Sequence, residues 1–233
     1  MLKHWLSLFN TPQDAVGFAA FLLVFPIYHA VYPWVMRRFP NAGVKSRFDL
    51  LRRSWIQGLI ERHDIVAAAQ QTRNLTMVNS LLASSALILM GFGSNILIRY
   101  PEIAQGIPHP RAWDADPAAV NAKIFLLILV FAAAFAYCMT SLRHLGHFVL
   151  VVGADPKLIE ELEGSAVDYL SGLVNRASNR YTLAVRCLYS ASPLFLWLFD
   201  TWFFIGLTLL WGLKFVGFQD FTHLWRRSPT ADS

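Results

Sequence analysis

The sequence is poor in charge. Asp, Glu, Lys and Arg make up 15% of its 233 residues, against about one quarter in an average soluble domain. That leaves too little polar surface to face water on all sides. Cysteine is nearly missing too: Cys138 and Cys187 sit in separate apolar runs, with no second Cys at metal-ligand spacing. A disulfide-stapled secreted fold is thereby excluded, and both thiols are expected to be buried and inert. The chain has no glycine-rich phosphate loop, no nucleophile elbow, no Cys-x-x-Cys and no paired-carboxylate layout. The common signatures of enzymes are therefore lacking, and no catalytic residue is expected. What is plentiful is apolar: 55% hydrophobic residues, 18 Phe, 8 Trp and a mean hydropathy of +0.42. Disordered and collagen-like chains are excluded. The composition is that of an integral membrane protein.

A net charge of +5 and a pI near 9.4 would suggest nucleic acid in a soluble protein. Here the basic residues gather between apolar runs, so orientation in a bilayer accounts for them, and no nucleic-acid partner is expected. The pattern predicts an all-α fold: a polytopic transmembrane helical bundle of four to five spans, forming one membrane domain over 1–233. Spans are expected at about 17–36, 70–98, 124–147, 180–199 and 202–218, with two amphipathic cytoplasmic-face helices at about 45–62 and 156–178.

The first span is a run of twenty residues without a formal charge, enough to cross roughly 30 Å of hydrocarbon. Tyr32 and Trp34 stand where interfacial aromatics belong, and Arg37 and Arg38 close it. It is too long for a signal peptide and no small-residue cleavage site follows. In 45–62, Phe48, Leu51, Trp55, Leu59 and Ile60 recur at helical spacing with basic residues between them. That suits a helix on an anionic lipid surface, or equally one packed on the protein's own cytoplasmic face. One long helix is expected from Asp64 to Ile98, with Ala83, Ser84, Ser85, Gly91 and Gly93 permitting close helix approach. Pro101, Gly106, Pro108, Pro110 and Pro117 mark 99–121 as a loop, and Gly153, Asp155 and Pro156 mark the start of the second amphipathic helix.

The last apolar run, 183–218, is too long for one upright crossing and has Asp200 at its middle. A carboxylate at the bilayer centre costs at least roughly 2.5–3.5 kcal/mol. A break at Asp200, capping the next helix with Trp197 and Trp202 at an interface, avoids that cost and favours five spans over four. Seven basic residues (Arg37, Arg38, Lys45, Arg47, Arg52, Arg53, Arg62) lie between spans one and two, and only Arg99, Arg111 and Lys123 between two and three. The basic loop 37–62 is therefore expected in the cytoplasm and the N-terminus outside. With five spans Arg226 and Arg227 also fall inside. A multi-pass protein of the cell inner membrane is expected, because helical spans exclude an outer-membrane barrel.

Several stretches resemble a known family: Arg53-Ser-Trp55, the block His63-Asp-Ile-Val-Ala-Ala-Ala-Gln-Gln-Thr-Arg-Asn-Leu-Thr-Met-Val-Asn-Ser-Leu-Leu-Ala-Ser-Ser-Ala86, Ser141-Leu-Arg143, and Arg186-Cys-Leu-Tyr-Ser-Ala-Ser-Pro193-Leu-Phe-Leu-Trp197. Over roughly 15–218 the chain is similar to an uncharacterised membrane family of bacteria and plants, domain of unknown function 599. The resemblance implies a membrane protein and brings no activity with it. Its plant members carry Gly-Pro near the Asp200 position, which fits a break there. His144 and His147 depart from the plant pattern, which counts against a histidine-based function for the whole family.

On the expected topology many polar side chains reach one depth, the inner membrane interface: His29; Gln70, Arg73 and Asn74; Ser141, Arg143, His144 and His147; Arg180 and Arg186. Asp64 is the only acid expected nearby. Guanidinium groups gathered in a weakly hydrated site need anions, so Gln70, Arg73, Asn74, Arg143 and Arg186 are the candidate anion- or ligand-binding residues. Snorkelling of each Arg to headgroup phosphate is the alternative. His144 and His147 share a helix face and, with His29 or the His63–Asp64 pair, are candidates for a metal site or a proton relay. A lone i, i+3 pair joined by no Cys or Glu is a thin ligand set, so the metal is unknown and no cofactor is expected. Asn79, Ser80, Ser84 and Ser85 either coat a polar pathway or bond within their own helix.

Three activities fit these features. The first is a homo-oligomeric channel or transporter for a small anionic solute, since four or five spans rarely enclose a pathway alone. The second is a structural or accessory subunit whose basic cytoplasmic face binds anionic lipid or a partner. The third is a membrane metal- or haem-binding redox protein.

Overall fold

The computed structural model describes residues 12–28, 30, 31, 44–106 and 117–215. All regular structure among them is helical. Helix α1 (Pro12–Leu22) continues into a π-helical turn, Leu23–Ile27, at Pro26, where the wider turn accommodates a residue without an amide hydrogen. Helices α2 (Val44–Arg62), α3 (Ile65–Gly106), α4 (Pro117–Val151), α5 (Pro156–Glu163), α6 (Ala166–Leu196) and α7 (Thr201–Lys214) follow. Ile65–Tyr100 and Pro117–Val151 are long and apolar enough to cross a membrane, while Pro12–Ile27 and Thr201–Lys214 are shorter apolar helices.

Local chemistry explains the joints. His63 adopts a left-handed conformation (φ 51°) and ends α2, with its amide bonded to the Ile60 carbonyl. Asp64 then starts α3, its carboxylate accepting from the Ala67 amide at 3.0 Å, as an N-cap does. Asp155 caps α5 by accepting from the Lys157 amide, with Pro156 at the first helical position. Gly164 (φ 85°) closes α5, a conformation that only glycine adopts without strain. Asp200 caps α7, accepting from the Trp202 amide at 2.7 Å and the Phe203 amide at 3.4 Å.

Some sequence expectations give way. The loop expected at 99–121 is helical at 99–106 and at 117–121, because α3 and α4 extend past their apolar runs. The amphipathic helix expected at 156–178 is two helices, broken at Gly164 and Ser165, and α6 carries straight on through Arg180 and Arg186. Trp197, expected at an interface beside Trp202, is buried, and only Trp202 is exposed. Gly91, expected at a packing face, has nothing within 4 Å, whereas Gly93 does pack, with Ile128 3.0 Å from where a Cβ would stand. Cys138 is buried as expected, but Cys187 is only half-buried. Tyr32, Trp34, the four residues Arg37, Arg38, Arg226 and Arg227, and His29 lie outside the described residues.

The chain divides into two compact units. Unit one comprises Met1–Val44, Leu87–Ala132 and Arg186–Ser233; unit two comprises Lys45–Ala86 and Ala133–Val185. The core of unit one is aromatic, with Phe21, Phe25, Trp197, Phe204 and Phe215 buried together. Its α1 and α7 approach closely through two glycines: a Cβ on Gly17 would meet Ile205 at 2.9 Å, and one on Gly212 would meet Val24 at 3.0 Å. Small residues on facing helices are the usual means of such an approach in membranes. In unit two, Ile56 and Leu59 of α2, Ala68 of α3, Phe148 of α4, Ile159 of α5 and Leu170 of α6 share one core.

Candidate functional site

Unit two holds most of the residues singled out by sequence. The amphipathic pattern of α2 resolves into two parts. Ile56 and Leu59 are buried in the protein's own core, while Phe48, Leu50 and Leu51 stay exposed. Two arginines fix α2 to α6. Arg52 donates to Asp49 at 2.9 Å, to Asn175 at 3.0 Å and to Ser178 at 2.8 Å. Burial pulls its pKa below the ordinary arginine value, with Asp49 opposing. Arg53 donates to the exposed Asp168 at 2.7 Å. That contact raises the Arg53 pKa and holds the Asp168 carboxyl below the usual carboxylate range.

Gln70, Arg73 and Asn74 are exposed on the first half of α3. Arg73 opens onto a groove of about 600 Å³ lined by Ala69, Thr76, Met77, Ser80, Leu81, Ser84 and Val149. Thr76, Ser80 and Ser84 follow Arg73 at three, seven and eleven residues, which is one stripe of a helix. Asp64, the one acid expected nearby, is engaged as the α3 cap. Further polar groups of α3 bond within the helix: Thr72 to the Ala68 carbonyl, Asn79 to Leu75 and Ser85 to Leu81. Asn79 is buried, and its Oδ1 has no hydrogen-bond partner.

Arg143, His144 and His147 lie elsewhere in the unit. Val149 lines the Arg73 groove, and at about 100° per residue His147 sits on the opposite side of α4. Two hydrogen-bonding and packing contacts set the register of α4 on α6: the Ser141 hydroxyl donates to the Ala177 carbonyl at 2.8 Å, and Cys138 packs with Ala184. His144 then lies within electrostatic reach of Arg143, His147, Arg176 and Arg180. Arg180 also rests over the Tyr137 ring, 5.9 Å from its centroid. No group of three or more His, Cys, Asp or Glu is close enough to share a metal ion among the described residues. Arg186 belongs to unit one, with its guanidinium 5.7 Å from the centroid of the Phe215 ring.

Unit one contains a charged cluster that the sequence reading missed. Asp14 and Lys123 are only 2% and 5% exposed. The Lys123 Nζ lies 3.7 Å from Asp14 Oδ1, which also accepts from the Trp197 indole at 2.7 Å and the Thr201 hydroxyl at 2.6 Å. The ammonium stands 4.4 Å from the centroid of the Trp197 ring. Asp14 stands before the expected start of span one, and Lys123 between the expected loop 99–121 and the expected span from 124. The legible signal was that each stands at the edge of an apolar run, where a lone charge calls for a partner.

The model for a family described as "Protein of unknown function, DUF599" fits residues 16–222. No curated protein and no solved structure matches the chain.

Proposed function

We propose that this chain, which belongs to the DUF599 family, is a five-span protein of the cell inner membrane that acts as a homo-oligomeric channel or transporter for a small anionic solute. The orientation is N-terminus outside, with the basic segment 37–62 cytoplasmic. Each unit is consistent with that arrangement. Unit one gathers the helix ends expected outside: the start of α1 at Asp14, the start of α4 at Lys123 and the α6–α7 turn at Trp197 and Thr201. Unit two gathers the ends expected inside: the starts of α3 and α6 and the end of α4.

The observation that carries the transport reading is the Arg73 groove. An exposed guanidinium heads a hydroxyl stripe on a helix whose most apolar stretch is only 17% buried. In a bilayer such a group calls for water, an anion or a partner wall, and a second copy laid against α3 would close the groove into a pathway. Gln70 and Asn74 are exposed on α3 within one turn of Arg73, while Arg143 lies elsewhere in unit two and Arg186 in unit one, so the reading rests on Arg73. The test is anion flux into proteoliposomes. The wild-type protein is expected to conduct, and Arg73→Ala is expected to abolish flux without changing insertion or assembly. Wild-type flux no greater than that of empty liposomes would sink the proposal.

A second reading, an accessory subunit bound to anionic lipid or a partner, draws support from Phe48, Leu50 and Leu51, which remain exposed beside Arg47 on α2. It calls for a salt-dependent partner affinity that weakens when Arg47 is replaced.

A further inference from the structure

We infer that the Arg73 groove is a binding site for an anionic phospholipid of the inner leaflet, with the headgroup phosphate on Arg73 and one acyl chain along α3. The inference rests on the same placement of Arg73 at the inner membrane boundary as the transport reading, and names a resident partner for the same groove. One cation stands at the head of the groove, and its floor is largely apolar, with Met77, Leu81 and Val149 exposed. Thr76, Ser80 and Ser84 present only small side chains along it, so a chain can lie close against α3. Ser84 follows Arg73 by eleven residues, about 16 Å of helix. That is about half of the roughly 30 Å hydrocarbon core, the depth of one leaflet. A small solute fills only the head of such a groove, whereas an acyl chain follows its length. The face is open to lipid, since the most apolar stretch of α3 is only 17% buried.

The charge at the head is not answered within the chain. Among the described residues Arg73 takes part in no ion pair, and no acid lines the groove. The acids of unit two are accounted for elsewhere. Asp49 and Asp168 hold Arg52 and Arg53, Asp64 and Asp155 cap helices, and Glu61 accepts from Gln57. Glu160, Glu161 and Glu163 stand on α5, which supplies no lining residue. Helix α4, which supplies Val149, has no Asp or Glu.

A guanidinium at the edge of hydrocarbon calls for an anion, and lipid phosphate is the anion held at that depth. Its fork binds phosphate oxygens in pairs through charge-assisted hydrogen bonds. The lack of a carboxylate then selects among lipids. Nothing in the groove pairs with the ammonium of a zwitterionic headgroup, so a headgroup of net negative charge is favoured. A snorkelling arginine uses the phosphate alone; the groove adds a seat for the chain.

The experiment uses the full chain in nanodiscs of phosphatidylcholine and phosphatidylglycerol in equal amounts, then extracted in maltoside detergent. Native mass spectrometry counts the retained lipids by class. The wild-type protein is expected to keep phosphatidylglycerol in preference to phosphatidylcholine. Arg73→Ala is expected to reduce that preference about fivefold, the contribution of one arginine at an anionic surface. Ser80→Leu/Ser84→Leu fills the floor, leaves the charge, and is expected to lose retained phosphatidylglycerol to a similar extent. Should Arg73→Ala fail to insert, Arg73→Gln is expected to lose the preference and Arg73→Lys to keep most of it. Equal retention of the two lipids, or a preference that survives loss of Arg73, would overturn the inference. So would retention unchanged by the filled floor, the mark of a snorkelling arginine only, or a lipid-free dimer with a second copy in the groove. Retained lipid without conduction fails the transport reading alone, and conduction without retained lipid fails this one alone.

Discussion

The two units dispose of charge in opposite ways. Unit one turns one pair inward: Asp14 and Lys123 are both almost fully buried, and one carboxylate oxygen takes Trp197, Thr201 and the ammonium together. Around the pair stands a ladder of rings, with Phe18 on Trp197 at 5.7 Å, Trp197 on Phe204 at 4.6 Å and Phe21 on Phe25 at 4.9 Å. Unit two turns charge outward. Arg73, Arg143, Arg176 and Arg180 are exposed, and the ion pairs Arg52–Asp49 and Arg53–Asp168 are partly or largely solvated. The difference separates charge satisfied within the chain from charge left to its surroundings. A buried pair is satisfied within the chain, so its removal is felt in stability. An exposed charge is satisfied from outside the chain, so its removal is expected to cost little stability.

The largest effect is expected where the inward pair is broken. Asp14→Ala strands the Lys123 ammonium and orphans the Trp197 and Thr201 donors, at a cost of about 3–5 kcal/mol. Asp14→Leu combined with Lys123→Met removes both charges and is expected to regain much of that loss. Thermal unfolding in detergent reads both variants. If the double variant were as unstable as the single one, the uncompensated charge would not be the cause. Overpacking comes next. Gly17→Val drives methyl groups into Ile205 and Phe204, for about 1–3 kcal/mol. Gly91→Ala, with nothing within 4 Å, is expected to be neutral or stabilising by up to about 1 kcal/mol. The same unfolding experiment sharpens the contrast between these two glycines.

In unit two the expected stability effects are smaller. Arg52→Ala removes the hydrogen bonds to Asp49, Asn175 and Ser178. Because the site is half exposed, a loss of about 1 kcal/mol is expected, below the value for fully buried charged bonds. Local hydrogen exchange should accelerate in α2 while the aromatic core of unit one keeps its protection. Equal acceleration in both units would remove the distinction between them.

How far the sequence foretold this depends on whether the signal was local. The Asp200 break and the Asp155–Pro156 helix start were legible, because a cap is a matter of one side chain and two nearby amides. The apolar stretches of α3 and α4 were legible, because run length and charge depletion are local properties. Where side chains met across helices, the sequence was silent. Asp14 and Thr201 are 187 residues apart, and nothing in either neighbourhood names the other. Trp197 looks interfacial because it and Trp202 flank the Asp200 break, yet its indole donates inward to Asp14. The single cationic layer read from sequence likewise depended on depth along helices, not on direction around them. Helix α4 turns Val149 toward Arg73 and His147 away from it, a rotation that depth alone does not reveal.

The smallest expected effect is at the exposed Arg53–Asp168 contact, and its pH dependence has a definite sign. The carboxyl of Asp168 is held below its ordinary range by Arg53, so its contribution to stability is fully present above the unfolded carboxylate pKa of about 4. That contribution is lost as pH falls through the depressed folded value. Arg53 is shifted upward, so its contribution is complete below the ordinary arginine pKa and does not vary near neutrality. The melting difference between wild type and Asp168→Asn is therefore expected to be small, flat from about pH 5 to 9, and to shrink under acid and under added salt. A difference that grew on acidification would mean that Asp168 acts in its protonated form, as a hydrogen-bond donor, and the outward charge of unit two would then be structural here as well.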